Sequence, residues 1–489
     1  MNKKESKKKI LTTSHGIPVG DNQHSTTAGA TGPTVFEDVY LIEKHAHFNR
    51  ERIPERVVHA NGGGAFGYFE VTRDVTKYSK ASFLSKVGKR TEAVVRFSTV
   101  AGSKGSADTV RDPRGFALKL YTDEGIYDLV MNNTPVFFIR DGMKFPDFIH
   151  SQKPDPASGL KSLDSIWDFF SNSPESLHQV VWLYGDRGIP YSWINMNGYS
   201  GHTFKWVNSN GKAFWVRYHF KTDQGIKNMS VEEAEKMAGK DPDFHKRQLY
   251  EAVRRGKYPS WTAYVQIMPY DDAWNYRYNP FDITKVWPHG DYPLKEIGRL
   301  VLNRNPENYF AEIEQLAFSP GNVVPGVEFS PDKMLQVRVF SYADAQRYRL
   351  GVNYTSIPVN APKNQVNNPY YRDGFMAIGK NGGGEPNYEP NTLGGPTEDA
   401  RFKRMSYQVN GKVGSWKQEE HAEDDDFAQA RKLYRIMGAD ERKRLVSNIG
   451  SELKRVRPEI AARQIGLFYR VDSELGKSLE ITVGVKSEE

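Results

Sequence analysis

The stretch FNRERIPERVVHANGGGAFG, residues 48–67, combines three residue types with complementary chemistry. It holds, in order, Arg50, Arg52 and Arg56, then His59, then Gly62, Gly63 and Gly64. Guanidinium groups bind carboxylates, imidazole exchanges a proton near neutral pH, and glycine lets the backbone pass close to a bulky neighbour. The stretch therefore predicts a histidine placed over a flat ligand that carries carboxylates.

The same glycines raise an alternative that the flanking residues exclude. Gly62, Gly64 and Gly67 spell G-x-G-x-x-G, a nucleotide-binding motif only where a strand precedes it and a helix follows it. The next residues, YFEVT at 68–72, have the composition of a strand. We therefore interpret this segment as part of a sheet and not as a dinucleotide fingerprint.

The composition indicates a folded protein that works without thiol chemistry. The chain has 489 residues, of which 12% are aromatic and none is cysteine. This excludes a disulfide framework, a thiolate metal site and a cysteine nucleophile. It fits a cytoplasmic location, which is reducing, and equally a protein that works amid oxidants. Because the sequence shows no signal-peptide h-region and no apolar run of about 20 residues, we expect no membrane partner.

The positive charge is concentrated at the N-terminus. The formal net charge is +7, and Lys3, Lys4, Lys7, Lys8 and Lys9 stand against Glu5 in the first ten residues. A nucleic-acid-binding protein is expected to carry a basic face on its folded part. We therefore interpret these lysines as a solvated tail and expect no nucleic-acid partner.

Many short strands with tight turns predict a closed antiparallel barrel within an α+β fold. In the segment 93–100, alternation places Val94, Arg96, Ser98 and Val100 on one face. Arginine and serine on a face that also carries valines suggest a ligand against that face. The candidate strands are 67–73, 93–100, 115–121, 128–132, 203–207, 213–220 and 260–268.

Four regions are predicted along the chain. A polar N-terminal arm occupies 1–55, the barrel 56–304, a wrapping segment rich in Pro, Gly and Asn 305–420, and a C-terminal helical region 421–489. Helices within them are predicted at 163–184, 230–255, 424–437, 440–456 and 458–471.

One helix is sharply marked inside the wrapping segment. Ser330 suits its N-cap, and Gly351 ends it. At 100° per residue, Arg338, Tyr342 and Arg349 share one face. A guanidinium one turn away favours the phenolate, which is a hard anionic ligand for ferric iron. The alternative is an ordinary amphipathic helix with solvated arginines.

Together these segments resemble the monofunctional haem catalase family of the small-subunit type. The His59 stretch resembles its active-site signature, and RVFSY at 338–342 resembles its haem-ligand signature. The similarity extends from about Thr12 to the C-terminal helices. Further matching segments are RFSTVAG, RDPRGFA, NNTPVFF, GIKN, NPFDITKVWPH and LNRNPENYF.

The resemblance implies a role for each matching residue. His59 matches the catalytic histidine, Asn132 the asparagine beside it, and Ser98 the serine that orients the histidine. Tyr342 matches the iron ligand and Arg338 its charge partner. The arginines that hold the haem propionates are matched by Arg56, Arg96 and Arg349, and the apolar residues of the pocket and its channel by Val58, Phe137 and Phe145.

The resemblance also implies an activity and an assembly. It implies haem b as cofactor and hydrogen peroxide as substrate, dismuted to water and oxygen through a ferryl intermediate in protection from oxidative stress. It implies an eight-stranded antiparallel barrel and a homotetramer.

Some members of the family bind NADPH outside the barrel. The positions of that site are matched by His178, Arg187, Asn197, Tyr199, Lys221, Val286, Trp287 and His289. Trp182 and Gly185 depart from its pattern, and Met131, Val337 and Gln346 depart from the pattern of the haem pocket.

Three other functions compete with peroxide dismutation. A haem-storage barrel would need no proton carrier such as His59, and a broad peroxidase would need an added electron donor. Nucleic-acid binding would depend on the lysine tail and on low salt. Oxygen evolution from peroxide without an added donor separates peroxide dismutation from both haem storage and broad peroxidase activity.

Overall fold

The computed structural model describes residues 9–409, 411–421 and 423–487. The lysines of the predicted tail that precede Lys9 lie outside the described residues. The chain divides into two compact units, Met1–Glu55 and Arg56–Glu489. The first contains helix α1 (Val39–Phe48), which is capped by the Asp38 side chain. The four-region division at residues 55, 304 and 420 stays a prediction.

Eight antiparallel strands of the second unit close into a barrel, as predicted. Their order is β7-β5-β4-β3-β2-β1-β9-β8, and β8 pairs with β7 again. Strands β6 and β10 extend the sheet beside β7. The strands are β1 (Gly62–Val71), β2 (Arg90–Ser98), β3 (Gly115–Thr122), β4 (Gly125–Asn132), β5 (Gly198–Tyr199), β6 (Phe204–Val207), β7 (Ala213–Thr222), β8 (Ser260–Pro269), β9 (Lys295–Arg304) and β10 (Val327–Glu328).

Alternation along β2 separates the barrel core from a second, outer layer. Val95 and Phe97 belong to the main apolar core, where the ring of Phe97 packs against Phe116 at a centroid distance of 4.8 Å. Val94 belongs to a separate apolar cluster that includes Phe318. Because successive side chains of a strand point to opposite faces, Arg96 and Ser98 share the outer face with Val94.

One strand prediction needed correction, and three strands, the two-residue β5 and β10 and the long β9, were not predicted. The first strand begins at Gly62 and not at residue 67, so the glycine-rich motif lies inside β1 and no helix follows it. Strand β9 was not predicted, because Lys295, Glu296 and Arg299 interrupt its apolar pattern. It pairs with both β1 and β8 and is therefore necessary for closure of the barrel.

Helices between and after the strands pack outside the barrel. The two long helices predicted at 163–184 and 230–255 are each a pair of shorter helices. The helices before the marked one are α2 (Phe145–Gln152), α3 (Leu163–Ser171), α4 (Leu177–Tyr184), α5 (Val231–Lys240) and α6 (Phe244–Arg254).

The marked helix is α7 (Lys333–Leu350), and its cap differs from the predicted one. The Asp332 side chain accepts from the Leu335 N–H at 3.0 Å and caps the helix. Ser330 instead donates to the carbonyl of Thr203. After α7, the described residues up to 427 contain single helical turns but no α-helix or strand. Tyr121 on β3 holds part of this segment by donating to the Val359 carbonyl at 2.6 Å.

The predicted C-terminal helical region is present and has one helix more than predicted. Its apolar side chains share a core with α3 and α4. No helix among the described residues is long and apolar enough to cross a membrane. The helices are α8 (Ala428–Ile436), α9 (Ala439–Leu453), α10 (Pro458–Val471) and the additional α11 (Ser473–Val483).

Candidate active site

Three neighbouring strands bring the predicted polar residues into one row. The register pairs Ser98 on β2 with Gly115 on β3, and Gly115 with Asn132 on β4. Residues that are directly paired across antiparallel strands point to the same face. The row therefore places the serine and the asparagine on the outer face, on either side of a glycine.

His59 lies beside this row in an unusual backbone conformation. Its φ is 65°, in the left-handed region, which typically costs a non-glycine residue about 1–3 kcal/mol and persists only when the surroundings fix it. Its N–H donates to the Val100 carbonyl at 2.9 Å. Its Nδ1 lies 2.9 Å from the Ser98 hydroxyl. The imidazole is thus held through both its backbone and its ring.

Gly115 provides the space for this contact. A Cβ at that position would lie 2.4 Å from the Ser98 Oγ and 2.6 Å from the His59 Nδ1. Both distances are shorter than real Cβ contacts, so a larger residue would displace the pair. Sequence reasoning quoted the glycine only as part of RDPRGFA and missed its role, which depends on strand register.

The environment of His59 keeps its ring uncharged at neutral pH. Burial lowers the pKa of His59 to about 3, and the positive charges of Arg96, Arg338 and Arg56 add to that shift. A neutral imidazole can accept a proton from a bound ligand and return it.

His59 and Tyr342 line the same cavity. On α7, Arg338 donates to the Tyr342 hydroxyl at 2.9 Å. The lining of the cavity includes the predicted Val58, His59, Asn132, Phe137, Phe145, Arg338 and Tyr342, together with Val100, Val130, Ile283 and Met334.

A buried hydrogen bond joins His202 to the start of α7. The Nδ1 of His202 lies 2.7 Å from Asp332, the residue that caps α7. Burial lowers the pKa of His202, Asp332 opposes that shift, and the Arg338 charge adds to it. Neither His202 nor Asp332 was predicted as a site residue.

The three other predicted arginines gather around one acidic residue. Arg56 donates to the carbonyls of residues 313, 314 and 316, and its Nη1 lies 3.9 Å from Glu314. Arg349 donates to the Glu314 carbonyl at 2.7 Å. Burial lowers the pKa of Arg56, and the charges of Arg96 and Arg349 lower it further. We call Arg56, Arg96, Arg349 and Glu314 the arginine cluster.

The arginine cluster carries more cations than the protein compensates. The Glu314 carboxylate lies within 4.0 Å of both Arg56 and Lys104, and Arg56 Nη1 and Arg96 Nε are buried without a hydrogen-bond partner among the described residues. A ligand that carries two carboxylates would supply the missing acceptors. Because Arg96 also contacts the His59 turn (Nη1 to the His59 carbonyl, 2.8 Å), the cluster adjoins the cavity. The apolar cavity, the phenol and the arginine cluster together fit haem.

Two of these residues carry signals that sequence reasoning did not use. Glu314 lies in the π-helical turn Phe310–Glu314, after a segment already noted as LNRNPENYF, and such turns are frequent at functional sites. Asp332 is an acidic residue at the start of the marked helix, where a carboxylate is favoured by the helix dipole and can cap the first turn.

The residues predicted for NADPH already have protein partners. His178 Nδ1 lies 2.9 Å from the Thr284 carbonyl, and Gln429 on α8 bonds both backbone groups of Val286. On the barrel wall, the Asn197 amide donates to the Tyr199 hydroxyl at 2.8 Å, and Lys221 donates to it at 3.3 Å. Also in this region, Arg187 lies over the Trp182 ring, Trp287 is buried, and His289 is exposed beside His219.

Comparisons with known proteins agree with this geometry. Residues 12–395 match the family described as catalase, and residues 420–483 match the one described as catalase-related immune-responsive. The chain is 59% identical to a bromoperoxidase-catalase of Streptomyces venezuelae over 97% of this chain and 98% of the relative. It is 58% identical to a catalase of Methanosarcina barkeri over 97% of this chain and 95% of the relative.

The fold agrees with that of solved catalases. The structure of catalase A from Saccharomyces cerevisiae superposes with a TM-score of 0.94 at 47% identity, covering 97% of this chain and 99% of that one. The site geometry, the full-length similarity and the shared fold lead to one conclusion: the chain belongs to the haem catalase family and decomposes hydrogen peroxide.

Proposed function

We propose that His59 is the proton carrier of peroxide dismutation and that Tyr342 is the ligand of the haem iron. The observation that supports both roles is the shared cavity, into which a neutral imidazole and an arginine-paired phenol both project. When bound, haem supplies the two-electron redox chemistry by which two peroxide molecules become two waters and one oxygen molecule.

His59 moves the proton that this chemistry requires. Peroxide leaves as water only if the proton on one oxygen reaches the other. The neutral ring accepts it at Nε2 while Nδ1 stays on the Ser98 hydroxyl, and the ring then returns it. Asn132, which lines the cavity, hydrogen-bonds the peroxide without adding charge. Positioned proton transfer of this kind contributes about 10²–10⁴ in rate.

The remaining residues hold the cofactor and restrict access to it. Arg338 stabilises the phenolate of Tyr342 by its hydrogen bond of 2.9 Å. The two haem propionates would supply the hydrogen-bond acceptors that the cluster of Arg56, Arg96 and Arg349 lacks. Val58, Phe137 and Phe145 form apolar walls, and the rings of the two phenylalanines stack with centroids 6.4 Å apart. These walls exclude organic electron donors.

The proton-carrier role predicts the behaviour of His59→Ala. Oxygen evolution from hydrogen peroxide, measured with an electrode and no added donor, should fall by about 10²–10⁴ because the proton loses its carrier. Haem content, measured by the Soret band, should stay near that of the wild type. Near-normal oxygen release per haem would contradict the role. Oxidation of bromide or a phenol in the same samples tests for peroxidase activity, which the name of the Streptomyces relative suggests.

The steric role of Gly115 gives a second prediction. Gly115→Ala should lower turnover per haem by about 10²-fold, because misplacing a catalytic group by about 1 Å has that effect. Gly125→Ala is the matched control on the same pair of strands, since a Cβ there meets nothing within 4 Å. Gly125 has a φ of 115°, so an alanine there strains the backbone without a steric clash. This variant therefore measures how much a general disturbance of the sheet lowers turnover. A Gly115→Ala protein no less active than this control would refute the role.

The ligand role of Tyr342 gives a third prediction. Tyr342→Phe removes the oxygen that would bind iron and retains the ring, so haem should bind more weakly and the visible spectrum should change. Haem transfer to excess apomyoglobin measures the loss rate. The matched control is Tyr348→Phe on the same helix, where the side chain is 81% exposed. Equal haem retention in the two variants would eliminate Tyr342 as the ligand.

We also propose NADPH binding at the residues predicted for it. Lys221 and Arg187 are the cations suited to its phosphates, and Tyr199 and Trp287 are aromatic neighbours. Fluorescence titration with NADPH should give saturable binding, weakened about 10- to 100-fold by Lys221→Gln, since loss of one charged hydrogen bond is worth about 1.5–3 kcal/mol. Binding that is unaffected by Lys221→Gln, or no binding at all, would count against this site.

Two further proposals concern the cell and the assembly. The exposed apolar side chains of Phe375, Met376 and Trp416 after α7 support assembly as a homotetramer, since burial between subunits would remove this apolar surface from water. The absence of cysteine supports a cytoplasmic location, although one relative, from Toxoplasma gondii, is named peroxisomal catalase.

A further inference from the structure

The turn that carries His59 is held in a left-handed conformation by identifiable bonds. On one side, the His59 N–H donates to the Val100 carbonyl at 2.9 Å, and the Thr99 N–H donates to the Asn61 carbonyl at 3.2 Å. These two bonds attach the turn to the end of β2. Neither bond involves the carbonyls of His59 and Ala60. Because buried carbonyls need hydrogen-bond partners and the φ of 65° at His59 must be held by its surroundings, other groups have to bind these two carbonyls.

Arg96 supplies both partners from a single side chain. Its Nη1 donates to the His59 carbonyl at 2.8 Å, and its Nη2 donates to the Ala60 carbonyl at 3.1 Å. The side chain is 3% exposed, so water does not replace these bonds. A Cβ at residue 62 would lie 2.3 Å from the Phe97 carbonyl oxygen and 2.8 Å from this guanidinium, so the position suits glycine.

The other arginines of the cluster bind a different part of the chain. Arg56 and Arg349 direct their Nη atoms at the carbonyls of residues 313, 314 and 316, and Arg349 also bonds Gln346. Arg96 is thus the member of the cluster that touches the His59 turn. Its Nε, which is buried without a hydrogen-bond partner among the described residues, faces no backbone acceptor and is available to an anion.

We propose that Arg96 is a positioning residue that holds the His59 turn in its left-handed conformation and connects the propionate-binding cluster to the proton carrier. This inference rests on the proposed role of His59. Arg96 then does more than neutralise a propionate: its loss should misplace the imidazole even where haem is still bound.

Cyanide binding tests this separately from turnover. Hydrogen cyanide loses its proton when it binds ferric haem, so its binding rate reports how well a base is placed over the iron. Wild type, Arg96→Gln, Arg96→Lys, Arg349→Gln and His59→Ala are loaded to equal haem content by Soret absorbance, and cyanide binding is followed by stopped flow. Arg349→Gln is the matched control, since Arg349 is in the same cluster but does not contact the turn.

We expect Arg96→Gln to slow cyanide binding by about tenfold or more, and Arg96→Lys to lie between it and the wild type, because a displaced base acts less efficiently. Arg349→Gln should weaken haem binding and, at equal haem loading, should slow cyanide binding clearly less than Arg96→Gln does, because Arg349 does not contact the His59 turn. Crystal structures should show a positive φ at residue 59 in Arg349→Gln and not in Arg96→Gln. If Arg96→Gln does not fold, Arg96→Lys carries the test.

Two results would overturn the inference. One is a wild-type rate of cyanide binding in the Arg96 variants that fold. The other is a rate in Arg349→Gln that is as slow as in Arg96→Gln, because the effect would then come from altered haem binding and not from the His59 turn. A wild-type cyanide rate in His59→Ala is a different result, because it would overturn the proposed role of His59 itself.

Discussion

The site depends on the register of β2, β3 and β4. That register places Ser98, Gly115 and Asn132 in one row. A slip of one residue in any of these strands would turn its member of the row toward the barrel interior. The interior prevents such a slip, because Val95 and Phe97 on the opposite face of β2 are completely buried in the core. Packing inside the barrel therefore fixes the position of polar chemistry outside it.

The sequence was most informative where a local pattern has a direct physical meaning. Alternation on β2 correctly separated Arg96 and Ser98 from the core, and helical periodicity correctly paired Arg338 with Tyr342. The resemblance supplied roles for single residues such as Asn132, which looks like an ordinary strand residue on its own.

Features that arise from contacts distant in sequence could not be predicted in this way. Strand β9 is recognisable only through its pairing with β1 and β8, since its own pattern is broken by charge. The role of Gly115 exists only because His59 approaches it from 56 positions earlier in the chain. Glu314 matters because three arginines from separate elements converge on it.

Two departures from the family pattern have local explanations in the structure. Val337 on α7 packs against Gly142. A Cβ at residue 142 would lie only 2.5 Å from a methyl group of Val337, so the glycine provides the space for the branched side chain. Gln346 accepts from Arg349 at 2.9 Å and 3.3 Å and fixes that guanidinium within the cluster. For Met131, which is buried in the core, nothing in the structure explains the departure.

The excess positive charge near the cavity connects cofactor binding to the protein's own electrostatics. Burial lowers the pKa of Arg349 to about 10, and the same effect acts on Arg56 and Arg96, so these charges are costly until an anion compensates them. Burying an unpaired charge is expensive, whereas a paired and hydrogen-bonded one is tolerated. A flat ligand with two carboxylates relieves this cost and at the same time fills the apolar cavity. Under the proposed roles, selection for haem over other flat molecules would depend on the arginines as much as on Tyr342.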